Sequence, residues 1–96
     1  TSLVRLEIAN NSITNDFIPH LKQILPNRPL LSEINLCNNK INSEGVACLA
    51  KIIPKCPWLR EIDMSYNQID TRTSKKILEK LTRKNPYLKI KVKNGE

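Results

Sequence analysis

The sequence predicts an α/β solenoid, in which short parallel strands alternate with helices in a repeated unit. Three observations predict it. A pattern of aliphatic residues recurs with an offset of 28 residues, and periods of that size mark stacked repeat architectures. The segments between these patterns carry apolar residues three and four apart, the spacing of one helix face. An asparagine closes each copy at the same place, where the chain must leave a strand and where no strand or helix partner can reach its backbone groups.

The copies align as Leu3 to Ile13, Leu31 to Ile41 and Leu59 to Ile69, with the first, fourth, sixth, ninth and eleventh positions aliphatic or Asn in all three. Alternation within each strand points Leu6/Ile8, Ile34/Leu36, Ile62/Met64 and Ile90/Val92 toward the helices. Asn11, Asn39 and Asn67 are expected to stack as a structural ladder. Helices are expected over 16–25, 43–53 and 71–82, with Thr14/Asn15, Asn42/Ser43 and Asp70/Thr71 as caps. Pro19 then falls in a first turn, and Pro26, Pro54 and Pro86 help to stop the helices. A fourth copy is only a capping strand over 88–93, Leu88-Lys89-Ile90-Lys91-Val92-Lys93, whose lysines discourage pairing with another sheet. Ser74 in place of Val46 and Lys80 in place of Ile52 are expected to make the third helix a polar C-terminal cap.

The pattern resembles the leucine-rich repeat family, in its long, ribonuclease-inhibitor-like type, found also in Ran GTPase-activating protein and NOD-like receptors. The resemblance covers the whole chain, and the second copy, Leu31 to Pro57, is the most faithful, with Asn39, Ile41, Gly45 and Leu49 at family positions. Phe17 and Thr73 stand where the family prefers Gly, so those two turns are expected to be looser or differently packed. The resemblance implies a right-handed βα superhelix with the parallel sheet on its concave face and helices on its convex face. Residues 1–96 are then one domain of three repeats, starting at 3, 31 and 59, plus the terminal strand. With no comparable cap at its start, the chain is expected to be the C-terminal part of a longer solenoid.

At 96 residues, 40% apolar and 4% aromatic, the chain is enough for one domain. No apolar run approaches the roughly 20 residues of a transmembrane helix. Cys37, Cys48 and Cys56 are an odd, scattered set, which argues against a disulfide scaffold and for reduced thiols in a cytoplasmic or nuclear setting. The charge is uneven. Residues 1–70 carry seven basic and seven acidic side chains, whereas residues 71–96 carry nine basic against Glu79 and Glu96, so the net charge of +7 lies entirely in the last quarter.

Little suggests chemistry. His20 stands alone, with no spacing that proposes a partner for nucleophilic catalysis. No Cys-x-x-Cys or His-x-x-x-His occurs, so no metal is implied. Gly45 and Gly95 alone cannot build a phosphate loop. Asn10-Asn11-Ser12 matches a glycosylation acceptor pattern of low specificity. Cys48 reads as a small core residue, Cys56 as a loop residue, and Cys37 as an open-face thiol whose reactivity is the less favoured reading. No enzyme activity, cofactor or small-molecule substrate is expected.

The outward strand positions are more informative. They form three columns: Arg5, Glu33, Glu61 and Lys89; Glu7, Asn35, Asp63 and Lys91; Ala9, Cys37, Ser65 and Lys93. In the family this surface is the concave one, where partners commonly bind. Side-by-side carboxylates are not required by packing, and an acidic centre with a basic end would steer a charged partner. Tyr66, just after the third strand, is the best single aromatic contact. Leu30, Trp58 and Tyr87 each follow a Pro and are expected to stack along one rim, packing there or on the core. The leading expectation is therefore a non-enzymatic protein-binding module. Its candidate contacts are Arg5, Glu7, Glu33, Asn35, Cys37, Glu61, Asp63, Tyr66, Lys89 and Lys91. The family suggests a regulator of a small GTPase, the sensing end of an immune receptor, or an effector that borrows the fold. Two alternatives remain: a tether in which the basic end binds nucleic acid or anionic membrane, and a structural cap of a larger protein.

Overall fold

The computed structural model describes residues 5–93. Leu3, the expected start of the first copy, and Gly95 lie outside the described residues, as do the side chains of Thr71 and Thr73.

Four strands, β1 (Arg5–Glu7), β2 (Glu33–Asn35), β3 (Glu61–Asp63) and β4 (Lys89–Lys91), form one parallel sheet in chain order. The register is the 28-residue offset itself, with Arg5 beside Glu33, Glu33 beside Glu61, and Glu61 beside Lys89. Each strand is three residues long, so β4 is shorter than the expected 88–93. Three helices cover one face of the sheet: α1 (Ile18–Ile24), α2 (Ser43–Ile52) and α3 (Thr71–Lys84). Parallel strands joined through helices bury one sheet face against those helices, and the core lies in that layer.

The core is built from repeated positions. Ile34, Leu36, Ile62 and Met64 are buried beneath the helices, and Leu6, Ile8, Ile90 and Val92 pack against them half-buried, because the sheet ends there. On the helices the buried stripe is Ile18/Leu21/Leu25, then Val46/Leu49/Ile53 one offset later. The third copy of that stripe begins with Ser74, which is 0% exposed. Ser74 thus replaces Val46 inside the core and adds no polar surface to the expected cap. Its hydroxyl donates to Ser43 Oγ at 3.1 Å, which supplies the partner that a buried hydroxyl needs.

Proline sets the lengths of the helices. Pro19 sits in the first turn of α1, where a missing N–H costs nothing. Pro26 and Pro54 directly follow the last α-helical donors, Leu25 N–H and Ile53 N–H, and the chain tightens there into 3-10 turns, Leu25–Asn27 and Ile53–Lys55. The third copy has Thr82 in place of Pro54, and α3 runs on to Lys84 without a 3-10 turn. The expected caps form. Thr14 accepts from Asp16 N–H at 3.3 Å, Asn42 from Glu44 N–H at 2.9 Å, and Asp70 from Arg72 N–H at 3.0 Å.

Gly45 is required by a close approach. A Cβ there would meet the Asn15 side-chain oxygen and, at 2.6 Å, Ile41 Cγ2. Phe17, at the same position of the first copy, is accommodated by a separate 3-10 turn, Asn15–Phe17, that precedes α1.

Cys48 departs from its expected place in the core, whereas Cys56 is the loop residue expected, though a buried one. The buried stripe of α2 passes through Val46 and Leu49, and Cys48 faces solvent. Cys56 closes the second 3-10 turn, its N–H donating to Ile53 O at 2.9 Å, and its side chain is buried.

Candidate functional site: the strand face and its rim

The three outward columns exist as expected in their first two members. Arg5, Glu33, Glu61 and Lys89 are register neighbours, as are Glu7, Asn35, Asp63 and Lys91. The third column is less open. Its backbone is continuous, with Asn10 N–H donating to Cys37 O at 3.0 Å and Asn38 N–H to Ser65 O at 2.9 Å. However, Ser65 is buried and Cys37 half-buried, so only Lys93 of this column is fully available.

The charges on the strand face are already partly organised. Arg5 Nε lies 2.9 Å from Glu7 Oε2, and Arg5 Nη1 lies 3.8 Å from Glu33 Oε2. Lys91 Nζ lies 3.6 Å from Glu61 Oε1. Asn35 Nδ2 donates to Glu7 Oε1 at 2.5 Å. These exposed pairs add little to stability; they fix the orientation of the side chains that form the face.

Asn35 and Asp63 play one role in two copies. The side-chain oxygen of each accepts the backbone N–H two residues on, from Cys37 and from Ser65, at 3.0 Å in both cases. This stops each strand and starts the turn away from the sheet. At Asp63, burial raises the carboxyl pKa, but hydrogen bonds from Cys37 and Ser65 and the charge of Lys91 outweigh it, and the net shift is downward. Beside it, burial and the Asp63 carboxylate push the Cys37 thiol up to about 11. Cys37 is therefore a protonated thiol at neutral pH rather than a reactive thiolate.

Beyond the strand ends lies the asparagine ladder. Asn39 Oδ1 accepts the N–H groups of Asn11 and Ile13, both at 2.9 Å, and its Nδ2 faces Ile8 O and Leu36 O at 3.0 Å. Asn67 repeats this one turn on, accepting from Ile41 N–H at 3.0 Å and donating toward Leu36 O and Met64 O. Asn11 is exposed, and its amide donates to Ala9 O within its own turn.

One row before the ladder, the backbone turns left-handed. Asn10, Asn38 and Tyr66 have φ of 62°, 56° and 60°, and Ser12 has 53°. Asn tolerates this conformation; a bulky residue such as Tyr is an outlier there. Tyr66 is also 50% exposed. It helps to line a groove of about 400 Å³ with Asn10, Ser12, Asn38, Lys40 and Gln68. The sequence reading singled out Tyr66 but missed the rest of this groove. The available signal was the column Asn10, Asn38, Tyr66, which places a turn-forming residue twice at one offset.

The remaining candidates do not assemble into a reactive site. His20 is exposed and lies near Phe17, with ring centroids 6.1 Å apart. Among the described residues, no group of three His, Cys, Asp or Glu side chains is placed to hold a metal ion.

Residues 29–50 and 55–72 match the family model of the leucine-rich repeat. The fold is a leucine-rich repeat solenoid. Among solved structures, leiomodin-1 actin-binding site 2 superposes with a TM-score of 0.78 at 18% identity, covering 94% of this chain and 53% of that one. The tropomodulin C-terminal domain of Caenorhabditis elegans superposes with a TM-score of 0.73 at 21% identity, covering 96% of this chain and 56% of that one. At such identities the likeness is one of fold. The chain spans about half the length of these structures. No curated protein sequence matches the chain.

Proposed function

We propose that these leucine-rich repeats, of the ribonuclease-inhibitor-like type, form a non-enzymatic protein-binding module whose contact surface is the concave strand face and its adjoining groove. The observation that carries this reading is Tyr66. A half-exposed aromatic is held at a φ of 60°, where two earlier copies place Asn. Such strain costs about 1 kcal/mol or more and persists where something other than local stability favours it. Tyr66 follows β3 three residues after Asp63, a member of the acidic centre formed by Glu33, Glu61 and Asp63. An aromatic anchor beside charged, oriented side chains is the composition of a protein contact site.

Actin is the partner to test first, because one of the superposing structures is an actin-binding site. The experiment is co-sedimentation of the 96-residue chain with actin filaments, paired with binding to actin monomers in solution. The reading predicts saturable binding that Tyr66→Ala weakens about tenfold or more. Glu61→Lys or Asp63→Lys abolishes it; the unfolding midpoint is little changed by Glu61→Lys and lowered by Asp63→Lys, which loses the carboxylate that accepts Ser65 N–H. Binding that survives all three substitutions contradicts the strand-face reading, and absence of binding to either form of actin removes actin as the partner.

A further inference from the structure

The opposite rim of the solenoid, where the helices return to the strands, has a different character. Three successive turns stand there: Arg28-Pro29-Leu30-Leu31, Cys56-Pro57-Trp58-Leu59 and Asn85-Pro86-Tyr87-Leu88. Each is closed by a hydrogen bond from its fourth residue to its first, at 3.0, 3.1 and 2.9 Å. Pro at the second position pre-sets the turn, and the third residue rides at its tip. The turns are stacked, since Arg60 N–H donates to Ser32 O and Lys89 N–H to Arg60 O, both at 2.8 Å.

At the tips, Leu30 is 64% exposed and Tyr87 is 82% exposed, while Trp58 between them packs partly on the core. These are apolar side chains presented outward, so the rim packing expected from sequence holds only for Trp58. The segments joining helices to strands, 25–32, 53–60 and 85–88, together with the last turn of α3, contain Arg28, Lys55, Arg60, Arg83 and Lys84 and no Asp or Glu. Among the described residues none of these five cations lies in an ion pair. Arg60 is tied down, donating to Pro57 O and Leu59 O and lying 6.0 Å from the centre of the Tyr87 ring. The nearby carboxylates Glu33 and Glu61 belong to the strand face and are engaged by Arg5 and Lys91.

Cations near helix C-termini have a local explanation, since they offset the helix dipole. That covers Lys55, Arg83 and Lys84. It does not cover Arg28 and Arg60, which lie beyond the helices, nor why Leu30 and Tyr87 stand out of the protein at the tips of the same turns. Protruding aliphatic and aromatic side chains beside unpaired cations, with the nearest carboxylates already engaged, match one surface in chemistry. An anionic lipid bilayer offers negative headgroups to the cations and, just beneath them, a layer that favours Tyr, Trp and Leu. Nucleic acid offers the charge without a hydrocarbon layer for Leu30. A folded acidic protein would need a cleft to receive two separate protrusions, whereas a bilayer yields around them.

We propose that this rim docks peripherally on an anionic membrane, with Leu30 and Tyr87 inserted between headgroups and the five cations contacting them. The strand face is left free to engage a protein at the same time.

Trp58, the single tryptophan, lies in the middle turn and reports on the event directly. The experiment is sedimentation of the chain with vesicles of phosphatidylcholine alone and with phosphatidylserine added at roughly one lipid in three, with Trp58 emission recorded in parallel. Binding to the anionic vesicles only, with a blue shift, is the expected result. Lys55→Gln with Arg83→Gln weakens it by about fivefold per cation removed. Leu30→Ser with Tyr87→Ser, both exposed and tolerated by the fold, weakens it roughly tenfold. Lys40→Gln, on the opposite rim, leaves it unchanged. No binding to anionic vesicles overturns the proposal, as does a loss with Lys40→Gln equal to that with Lys55→Gln. Capture of a single-stranded oligonucleotide or an acidic polypeptide in preference to vesicles also overturns it, assigning the rim to another class of polyanion.

Discussion

Replacing Asn67 by alanine removes a side chain that joins two successive turns of the solenoid. Its oxygen accepts the Ile41 N–H at 3.0 Å, and its amide donates toward Leu36 O at 2.9 Å and Met64 O at 3.0 Å. Asn67 is only 9% exposed, so water is not at hand to replace it. Leu36 O keeps a second donor in Asn39. The Ile41 N–H and the Met64 carbonyl lose their hydrogen bonds, and at about 1–3 kcal/mol for each buried group left unpaired the cost is about 2–6 kcal/mol. A 96-residue domain has about 5–14 kcal/mol in total, so the variant loses a large share of its stability. Asn11 supplies the internal control, because its amide makes one exposed bond to Ala9 O, and Asn11→Ala costs about 1 kcal/mol or less. Urea unfolding followed through Trp58 fluorescence measures both, with the slope checked for constancy. Equal midpoints for Asn67→Ala and Asn11→Ala would refute the ladder as the tie between turns.

Three further outcomes are expected. Gly45→Ala destabilises, since overpacking costs about 1–3 kcal/mol and the gain in helix propensity of about 1 kcal/mol offsets only part of it; thermal melting reads the balance. Tyr66→Asn restores the residue found at Asn10 and Asn38, relieving left-handed strain, and raises stability by about 0.5–1 kcal/mol while weakening protein binding; a variant that binds better or melts lower contradicts the role given to Tyr66. The Cys37 thiol is held up to about 11 in the folded protein, against about 8.5 when unfolded. Its contribution is therefore complete below the unfolded value and lost as pH rises through the folded one, because the unfolded chain ionises first. Cys37→Ala accordingly shows a shallower loss of stability between about pH 9 and 11 than the parent chain.

The parts of the fold that depend on translation from one repeat to the next were legible in the sequence. The 28-residue offset gave the strand register, and with it the first two outward columns, because a parallel ladder carries each position onto its equivalent. The asparagine ladder was legible for the same reason. What failed was local substitution within a conserved frame. Ser74 reads as part of a polar cap, yet in the slot of Val46 it is buried, its hydroxyl satisfied by Ser43, a partner 31 residues away that no local pattern announces. Cys48 and Cys56 are chemically alike, and only the rotation of α2 and the closure of a 3-10 turn decide which is inside. Ser65 alternates correctly for the open face but is drawn in where the chain bends toward Asn67. The groove around Tyr66 depends on backbone handedness, which side-chain alternation does not encode.

Everything proposed for the strand face rests on residues one offset apart being neighbours in space. Nuclear Overhauser contacts in the folded chain test this directly. The account predicts contacts from Ile34 to both Leu6 and Ile62, and from the Asn67 side-chain amide to the Leu36 and Ile41 backbone. A spectrum in which Ile34 and Ile62 share no contacts, or in which Asn67 meets only residues of its own copy, would contradict it.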